Sequence, residues 1–98
     1  MKVLETLHLR LAGDDLDDLV ELVRGALGTP GSSPRVAIYR HSRVQGDLLI
    51  HLRWEGPEQS DDPSEIGLRL AALLRFQGLV EHSVWVQGEG WQAEKRED

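Results

Sequence analysis

The sequence predicts an α+β fold in which four strands form one antiparallel sheet and two helices cover one of its faces. Residues 7–11 and 50–54 read Leu-His-Leu-Arg-Leu and Ile-His-Leu-Arg-Trp. Both segments alternate apolar with polar side chains, which is the period of a strand. Each is followed by an amphipathic helical pattern and then by another strand-like run. The chain therefore divides into two matching β-α-β halves.

The composition limits the class of protein. We expect the 98 residues to form a single domain, 1–98, with an ordered core at about 3–87 and a charged tail at 92–98. The absence of cysteine excludes disulfides and thiolate-based sites. A formal net charge of −6 argues against extensive contact with nucleic acid or anionic lipid. Short apolar runs and the lack of a signal-peptide pattern lead us to expect a cytoplasmic protein.

In the first half, a strand is predicted at about 3–11, with its central leucines on one face. Asp14 or Asp15 is expected to cap the helix that follows, because a short carboxylate accepts from the free N–H groups of the first turn. Gly28 ends that helix, and a loop at 29–34 leads into the second strand. The predicted core-facing side chains of this half are Leu7, Leu9, Leu11, Leu16, Leu19, Val20, Val23, Leu27 and Ile38.

The second and third strands are predicted to form a hairpin, because Gln45-Gly46-Asp47 is a turn signal between two alternating segments. A three-residue loop at 45–47 keeps the apolar side chains of both strands on one face. It pairs His41 with His51 and Tyr39 with Arg53.

The second helix begins at Asp62-Pro63-Ser64-Glu65, where the pattern predicts Asp62 as the capping residue. Gly78 is predicted to end this helix. The fourth strand is predicted at 83–87. The core-facing side chains expected in this half are Ile50, Leu52, Ile66, Leu70, Leu73, Leu74, Val84 and Val86.

With short connections, the order β-α-β-β-α-β gives an antiparallel sheet of strand order 4-1-3-2 with both helices on one face, the ferredoxin-like arrangement. Large apolar side chains on the other face would form an exposed patch in water. We therefore predict a homodimer through the open sheet face. The side chains predicted there are Leu4, Thr6, His8, Arg10, Ala37, Tyr39, His41, Leu49, His51, Arg53, Trp85 and Gln87.

The chain resembles the antibiotic biosynthesis monooxygenase branch of the dimeric α/β-barrel superfamily. The resemblance covers residues 3–87 and depends on the element order and on the passage from the second helix through Gly78-Leu79 to Val84-Trp85-Val86. It implies two stacked sheets that enclose a cavity, and oxygenation of an electron-rich aromatic or quinol without metal or flavin. Haem-degrading relatives use an Asn and a helical His. This chain contains no Asn, and its second helix contains no His.

Two functions are open on this sequence. In the first, a cofactor-independent monooxygenase or isomerase, His8 or His51 is the catalytic base that takes a proton from a phenol. Arg10 and Arg53 would hold the resulting anion. In the second, a non-catalytic small-molecule-binding or regulatory homodimer, the same side chains only recognise the ligand. The further substrate-binding residues predicted are Tyr39, Trp85 and His41.

Two other functions are less well supported. Tyr39 and Trp85 on an open sheet would suit RNA, but the net acidity and the missing RNP pattern argue against it. Three histidines on strands would bind a metal only if their ring nitrogens came within ~2.1 Å of one point. We therefore predict no metal, no other cofactor, no nucleic acid and no membrane partner.

Overall fold

The computed structural model describes residues 2–10, 16–28, 34–55 and 62–88. The predictions for Leu11, Asp14, Asp15, most of the loop at 29–34 and the tail at 92–98 lie outside these residues. Within them the protein is a small α+β structure of four antiparallel strands and two helices. The elements are β1 (Lys2–Arg10), α1 (Leu16–Leu27), β2 (Arg35–Arg40), β3 (Leu48–Glu55), α2 (Glu65–Leu74) and β4 (Leu79–Val86).

The sheet order is β2-β3-β1-β4, which confirms the predicted order 4-1-3-2. β1 is central and pairs antiparallel with β3 on one side and with β4 on the other. Leu7, for example, lies opposite Ile50 of β3 and His82 of β4. Because partners in an antiparallel pair point to the same side, this register fixes the face on which every strand residue lies.

Both helices contribute to one core, on the face that carries the odd-numbered residues of β1. The side chains buried there contribute about 1.5–3 kcal/mol each relative to exposure. Val86, predicted to be in the core, is instead 47% exposed because it is the last residue of an edge strand. The buried cluster comprises Leu7, Leu9, Leu19, Val23, Leu48, Ile50, Leu52, Leu70, Ala71 and Leu74.

The register of the β2–β3 hairpin differs from the prediction. His51 lies opposite Ala37 rather than His41, and Tyr39 lies opposite Leu49. The observed register differs from the predicted one by an even number of residues. Each side chain therefore stays on the face of the sheet that was predicted for it.

The hairpin loop runs from 42 to 46 rather than from 45 to 47. The backbone N–H of His41 donates to the carbonyl of Asp47 at 3.3 Å and closes the loop. The His41 Nδ1 atom accepts two backbone N–H groups of the loop, at 3.0 and 2.9 Å. Gly46 has a φ of 88°, a left-handed conformation that favours glycine. The turn glycine was therefore predicted correctly. The loop is longer than predicted, because it includes the residues whose N–H groups the His41 imidazole caps.

The helix ends agree only in part with the patterns. Gly28 ends α1 with a φ of 81°, as predicted. The cap of α2 is Ser64 and not Asp62, and the Ser64 Oγ atom accepts from the N–H of Gly67 at 2.9 Å. A buried carboxylate that contacts Ser64, described below, accounts for this position.

The end of α2 and the start of β4 both lie earlier in the chain than predicted. α2 ends at Leu74 rather than at Gly78, and β4 begins at Leu79 rather than at 83. The nine residues of β1 explain the longer β4, because β4 pairs along β1 as far as Arg10, which lies opposite Leu79. Among the residues described, no helix has the length and apolar character needed to cross a membrane.

Candidate functional site

One face of the sheet is not covered by α1 or α2, and the even-numbered residues of β1 lie on it; we term it the open face. Its side chains form rows across the four strands. Trp85, Leu79 and Tyr39 on this face are 62%, 61% and 48% exposed. In the order β2-β3-β1-β4, the rows are Arg35–Arg53–Leu4–Trp85, Ala37–His51–Thr6–Ser83 and Tyr39–Leu49–His8–Glu81, with Arg10–Leu79 beyond them.

Two of the predicted substrate-binding residues, Arg53 and Trp85, meet at one groove. They lie in the same row, on either side of Leu4. The groove has a volume of about 350 Å³, which is within the range of small-molecule sites, about 300–1,000 Å³. It offers an indole surface, two cationic groups and one carboxylate. Its lining residues are Lys2, Val3, Leu4, Arg53, Trp54, Glu55, Trp85, Val86 and Gln87.

His51 lies in the next row, two residues from Arg53 on the same strand. Its ring packs edge-to-face against Tyr39, with 5.1 Å between the ring centroids. Its Nδ1 atom is buried and has no hydrogen-bond partner in the part of the chain that the structure describes. Burial of the imidazole, and secondarily the positive charge of Arg53, lower the pKa of His51 below its usual value of 6.5. Both effects favour the neutral imidazole.

His8 has a different environment, between two carboxylates. Its Nε2 atom lies 3.2 Å from Asp47 Oδ2, and its Nδ1 atom lies 3.6 Å from Glu81 Oε1. The second oxygen of Glu81 accepts from Arg10 at 3.3 Å. Both ring nitrogens of His8 thus face acceptors within the protein, so His8 is less available to a ligand than His51.

The two arginines predicted to hold one anion lie at opposite ends of the open face. Arg53 lies opposite Leu4, six residues from Arg10 along β1. At about 3.3 Å per residue, the two positions are about 20 Å apart. One subunit therefore cannot place both guanidinium groups on the same small anion.

His41, predicted to bind substrate, lies in the hairpin loop, where its Nδ1 atom caps the turn. It is thus separated from the groove at the opposite end of β3. Within the described ranges, no three histidine or acidic side chains are grouped so that they could hold a metal ion.

The sequence did not predict a second polar cluster, which lies on the helix-covered face. Glu5 is 1% exposed. Its Oε1 atom accepts from Trp54 Nε1 at 3.1 Å and from Ser64 Oγ at 2.7 Å. Its Oε2 atom accepts from the backbone N–H of Ser64 at 3.1 Å and lies 2.6 Å from His82 Nε2. We term these four residues the Glu5 network.

The Glu5 network joins all three of β1, β3 and β4 to the start of α2. The carboxylate lies at the N-terminus of the helix, where a negative charge is stabilised by the helix dipole. Trp54 is also among the residues that line the groove, but it pairs with Val3, so its side chain lies on the helix-covered face, opposite to that of Arg53. One sequence signal could have indicated it: Glu5 is in phase with Leu7 and Leu9, at a position that should be apolar.

Comparisons of the chain with protein-family models, with curated proteins and with solved structures give no match. The resemblance to antibiotic biosynthesis monooxygenases stays a prediction from the sequence. The groove, the open face and the chemistry of their side chains therefore carry the functional proposal.

The lowered pKa of His51 can be measured. We expect its NMR titration to have a midpoint below 6.5, because burial and Arg53 both disfavour the imidazolium. In the Arg53→Gln variant the midpoint should rise but stay below 6.5, since burial is the larger cause. Because the folded state binds this proton less tightly than the unfolded state, the contribution of His51 to stability is complete above 6.5 and falls as the pH drops below it.

Arg24→Gln is the matched control for this titration, because Arg24 is on α1, on the other side of the sheet, and pairs with Glu21 at 3.0 Å. It should leave the His51 midpoint unchanged. A His51 midpoint at or above 6.5 in the wild-type protein would show that the ring is solvated and that the row described above is open to water.

Proposed function

We propose that this protein is a homodimer of a ferredoxin-like α+β domain that binds a small anionic aromatic molecule at its open sheet face. One observation carries the proposal: Arg53 and Trp85 come from different strands and line the same groove. A cation and an aromatic plane in one cavity of this size are complementary to an aromatic acid or a phenolate.

Each of these side chains has a defined role in recognition. The planar guanidinium of Arg53 can donate two parallel hydrogen bonds to a carboxylate or one to a phenolate. The indole of Trp85 can stack on an aromatic ring. Lys2 adds a second positive charge to the groove lining. An anion is therefore favoured over a neutral or cationic ligand of the same size.

The dimer is supported by the apolar side chains of the open face. Trp85, Leu79 and Tyr39 are all about half exposed or more in the single chain. Trp85 and Leu79 are on one edge strand and Tyr39 is on the other, so a partner that covered all three would cover the whole face. If a second sheet stacked on this face, as in a dimeric α/β barrel, it would bury these side chains and enclose the groove.

The binding function predicts a specific loss in the Arg53→Gln variant. We expect its affinity for an aromatic carboxylate or phenolate to fall by about 1.5–3 kcal/mol, the contribution of a charge-assisted hydrogen bond. Folding stability should change by less than about 0.5 kcal/mol, because Arg53 is exposed. Isothermal titration calorimetry with a panel of aromatic acids, quinols and flavonoid-like phenols measures the first quantity, and thermal unfolding measures the second.

Arg24→Gln serves again as the control and should bind every ligand as the wild type does. The binding proposal fails if no member of the panel binds the wild type, or if Arg53→Gln binds as well as the wild type. Light scattering that reports a monomer at micromolar concentration would contradict the dimer.

A second candidate function, cofactor-independent oxygenation, is favoured by His51. This neutral imidazole lies two residues from Arg53 on the same face of β3, about 7 Å away along the strand. A phenol held by Arg53 could transfer its proton to a neutral histidine. The phenolate formed would be electron-rich and could react with dissolved oxygen.

Oxygen uptake separates the two functions. If the protein is an oxygenase, it should consume oxygen with at least one quinol of the panel, and His51→Gln should abolish the uptake while the quinol still binds. Arg24→Gln should leave the rate unchanged. Binding without any oxygen uptake would eliminate the oxygenase and leave the binding function in place.

A further inference from the structure

Two arginines are direct neighbours on the open face, beside the groove. Arg35 of β2 lies opposite Arg53 of β3, in the row that continues through Leu4 to Trp85. Opposite residues of an antiparallel pair point to the same side of the sheet, with Cβ atoms about 4.5–5.5 Å apart. Both side chains are exposed. Arg35 thus adds a second guanidinium group next to the one that lines the groove.

The chain itself does not neutralise this pair of arginines. Within the ranges that the structure describes, the side chains of Arg35 and Arg53 form no ion pair or hydrogen bond. Like charges directly opposite each other in a sheet are destabilising, so the pair does not contribute to the stability of the fold. The arginines that do form ion pairs with carboxylates are Arg10, Arg24, Arg40 and Arg69.

The charges around the groove leave an excess of two positive charges. Lys2 lies opposite Glu55, so these two charges offset each other, and Arg35 and Arg53 remain. The chain as a whole has a formal net charge of −6, so this local excess runs against its overall charge. A local group of cations attracts anions to the groove, and it attracts a doubly charged anion more strongly than a singly charged one.

We propose that the ligand of the groove is a small aromatic phosphate monoester, whose dianionic group is bound by Arg35 and Arg53 together and whose ring lies against Trp85. The inference rests on the proposed function and names the class of its ligand. One guanidinium fork satisfies both oxygens of a carboxylate, whereas a terminal phosphate has three oxygens and can accept from two guanidinium groups. A phosphate monoester carries a charge of about −1.5 to −2 at pH 7, which matches the two arginines.

The order of the strands separates the two parts of this site. Neighbouring strands are about 4.8 Å apart, so Arg53 and Trp85 are about 10 Å apart across Leu4. A ring over Leu4 and the indole would direct its phosphate toward β3 and β2. Arg35 lies on the far side of Arg53 from Trp85, so it can reach the phosphate but not the ring. Arg53 would therefore bind any anionic ligand of the groove, and Arg35 would select the dianion.

Phenyl phosphate and phenyl sulfate test this selection, because they share the ring and a tetrahedral anionic group. At pH 8 the phosphate is a dianion, since its second pKa is about 6, whereas the sulfate is a monoanion. We expect isothermal titration calorimetry to show that the wild type binds phenyl phosphate about tenfold more tightly than phenyl sulfate. Arg35→Gln should weaken phosphate binding about tenfold and sulfate binding less than about twofold. Arg53→Gln should weaken the binding of both.

Arg40→Gln is the matched control, because Arg40 lies on the same strand, on the opposite face, and pairs with Asp17. It should bind both compounds as the wild type does. Thermal unfolding gives a second readout: Arg35→Gln should be at least as stable as the wild type, because it removes a like-charged neighbour. A less stable Arg35→Gln variant would show that this guanidinium serves the fold and would contradict the proposal.

The outcomes distinguish this inference from the function on which it rests. Equal wild-type affinities for the two compounds, or equal weakening of both in Arg35→Gln, overturn the phosphate ligand alone. The same conclusion follows if neither compound binds while an aromatic acid or a phenol of the panel does. If no compound of either set binds, the proposed function fails as well.

Discussion

We expect Gly67→Ala to lower the free energy of unfolding by about 4 kcal/mol. Gly67 is buried in the first turns of α2, directly against the Glu5 network. A Cβ atom at this position would overlap Glu5 Oε2 and come within 2.5 Å of Glu5 Cδ and 3.0 Å of His82 Nε2. The carboxylate has no room to move without losing its hydrogen bonds, so the variant combines overpacking with unpaired buried donors.

Gly25→Ala is a matched control, since Gly25 also lies in a helix and a Cβ there would meet nothing within 4 Å. Alanine has the higher helix propensity, so this change should stabilise the protein by up to about 1 kcal/mol. Urea unfolding of the two variants at the same pH gives the comparison. Equal stabilities for Gly67→Ala and the wild type would show that Glu5 is not held against α2.

The second large effect is expected for Glu5→Gln, which should cost about 3–4 kcal/mol. The amide keeps one acceptor oxygen but turns an NH₂ group toward donors. The hydrogen bond from either the Trp54 indole N–H or the Ser64 backbone N–H would then be lost, because these two groups can only donate and each contacts a different oxygen of Glu5. A buried donor without an acceptor costs more than the net contribution of the bond that it once made.

Glu21→Gln is the corresponding control. Glu21 is 71% exposed and pairs with Arg24 on the surface of α1, so the change should alter stability by less than about 0.5 kcal/mol. Hydrogen exchange of the Trp54 indole N–H gives a local measurement. It should accelerate in Glu5→Gln and stay slow in Glu21→Gln, and unchanged exchange in both would contradict the Glu5–Trp54 hydrogen bond.

The strand order and the faces of the sheet could be predicted because they follow from periodicity. The alternation in 7–11 and 50–54 assigns each side chain to a face, and a shift of register by an even number of residues does not change it. The hairpin loop could not be predicted, because the side chain of His41 caps it. The rules for turn residues describe such capping for Asx, Ser and Thr side chains.

The sequence indicated residues that could form a site on the open face. It did not indicate which of these residues lie next to each other. Arg53 and Trp85 meet because β3 and β4 flank β1, which the strand order implies. Arg10 is separated from Arg53 by the length of β1, which a pattern of matching His-Arg pairs does not reveal. The Glu5 network was missed because its members lie at positions 5, 54, 64 and 82, and only the folded chain brings them together.

The central position of β1 has a consequence for how the chain folds. β1 is the first of the described strands, and it pairs with β3 and with the last of them, β4. Contacts such as Val3 with Val86 join residues that are 83 positions apart in the sequence. Forming such contacts requires the closure of long loops, which costs conformational entropy. We therefore expect slower folding than in a protein of this size whose strands pair locally. During synthesis, one edge of β1 stays unpaired until β4 has left the ribosome. In this interval the nascent chain exposes the unpaired backbone groups of one β1 edge to other chains and to chaperones.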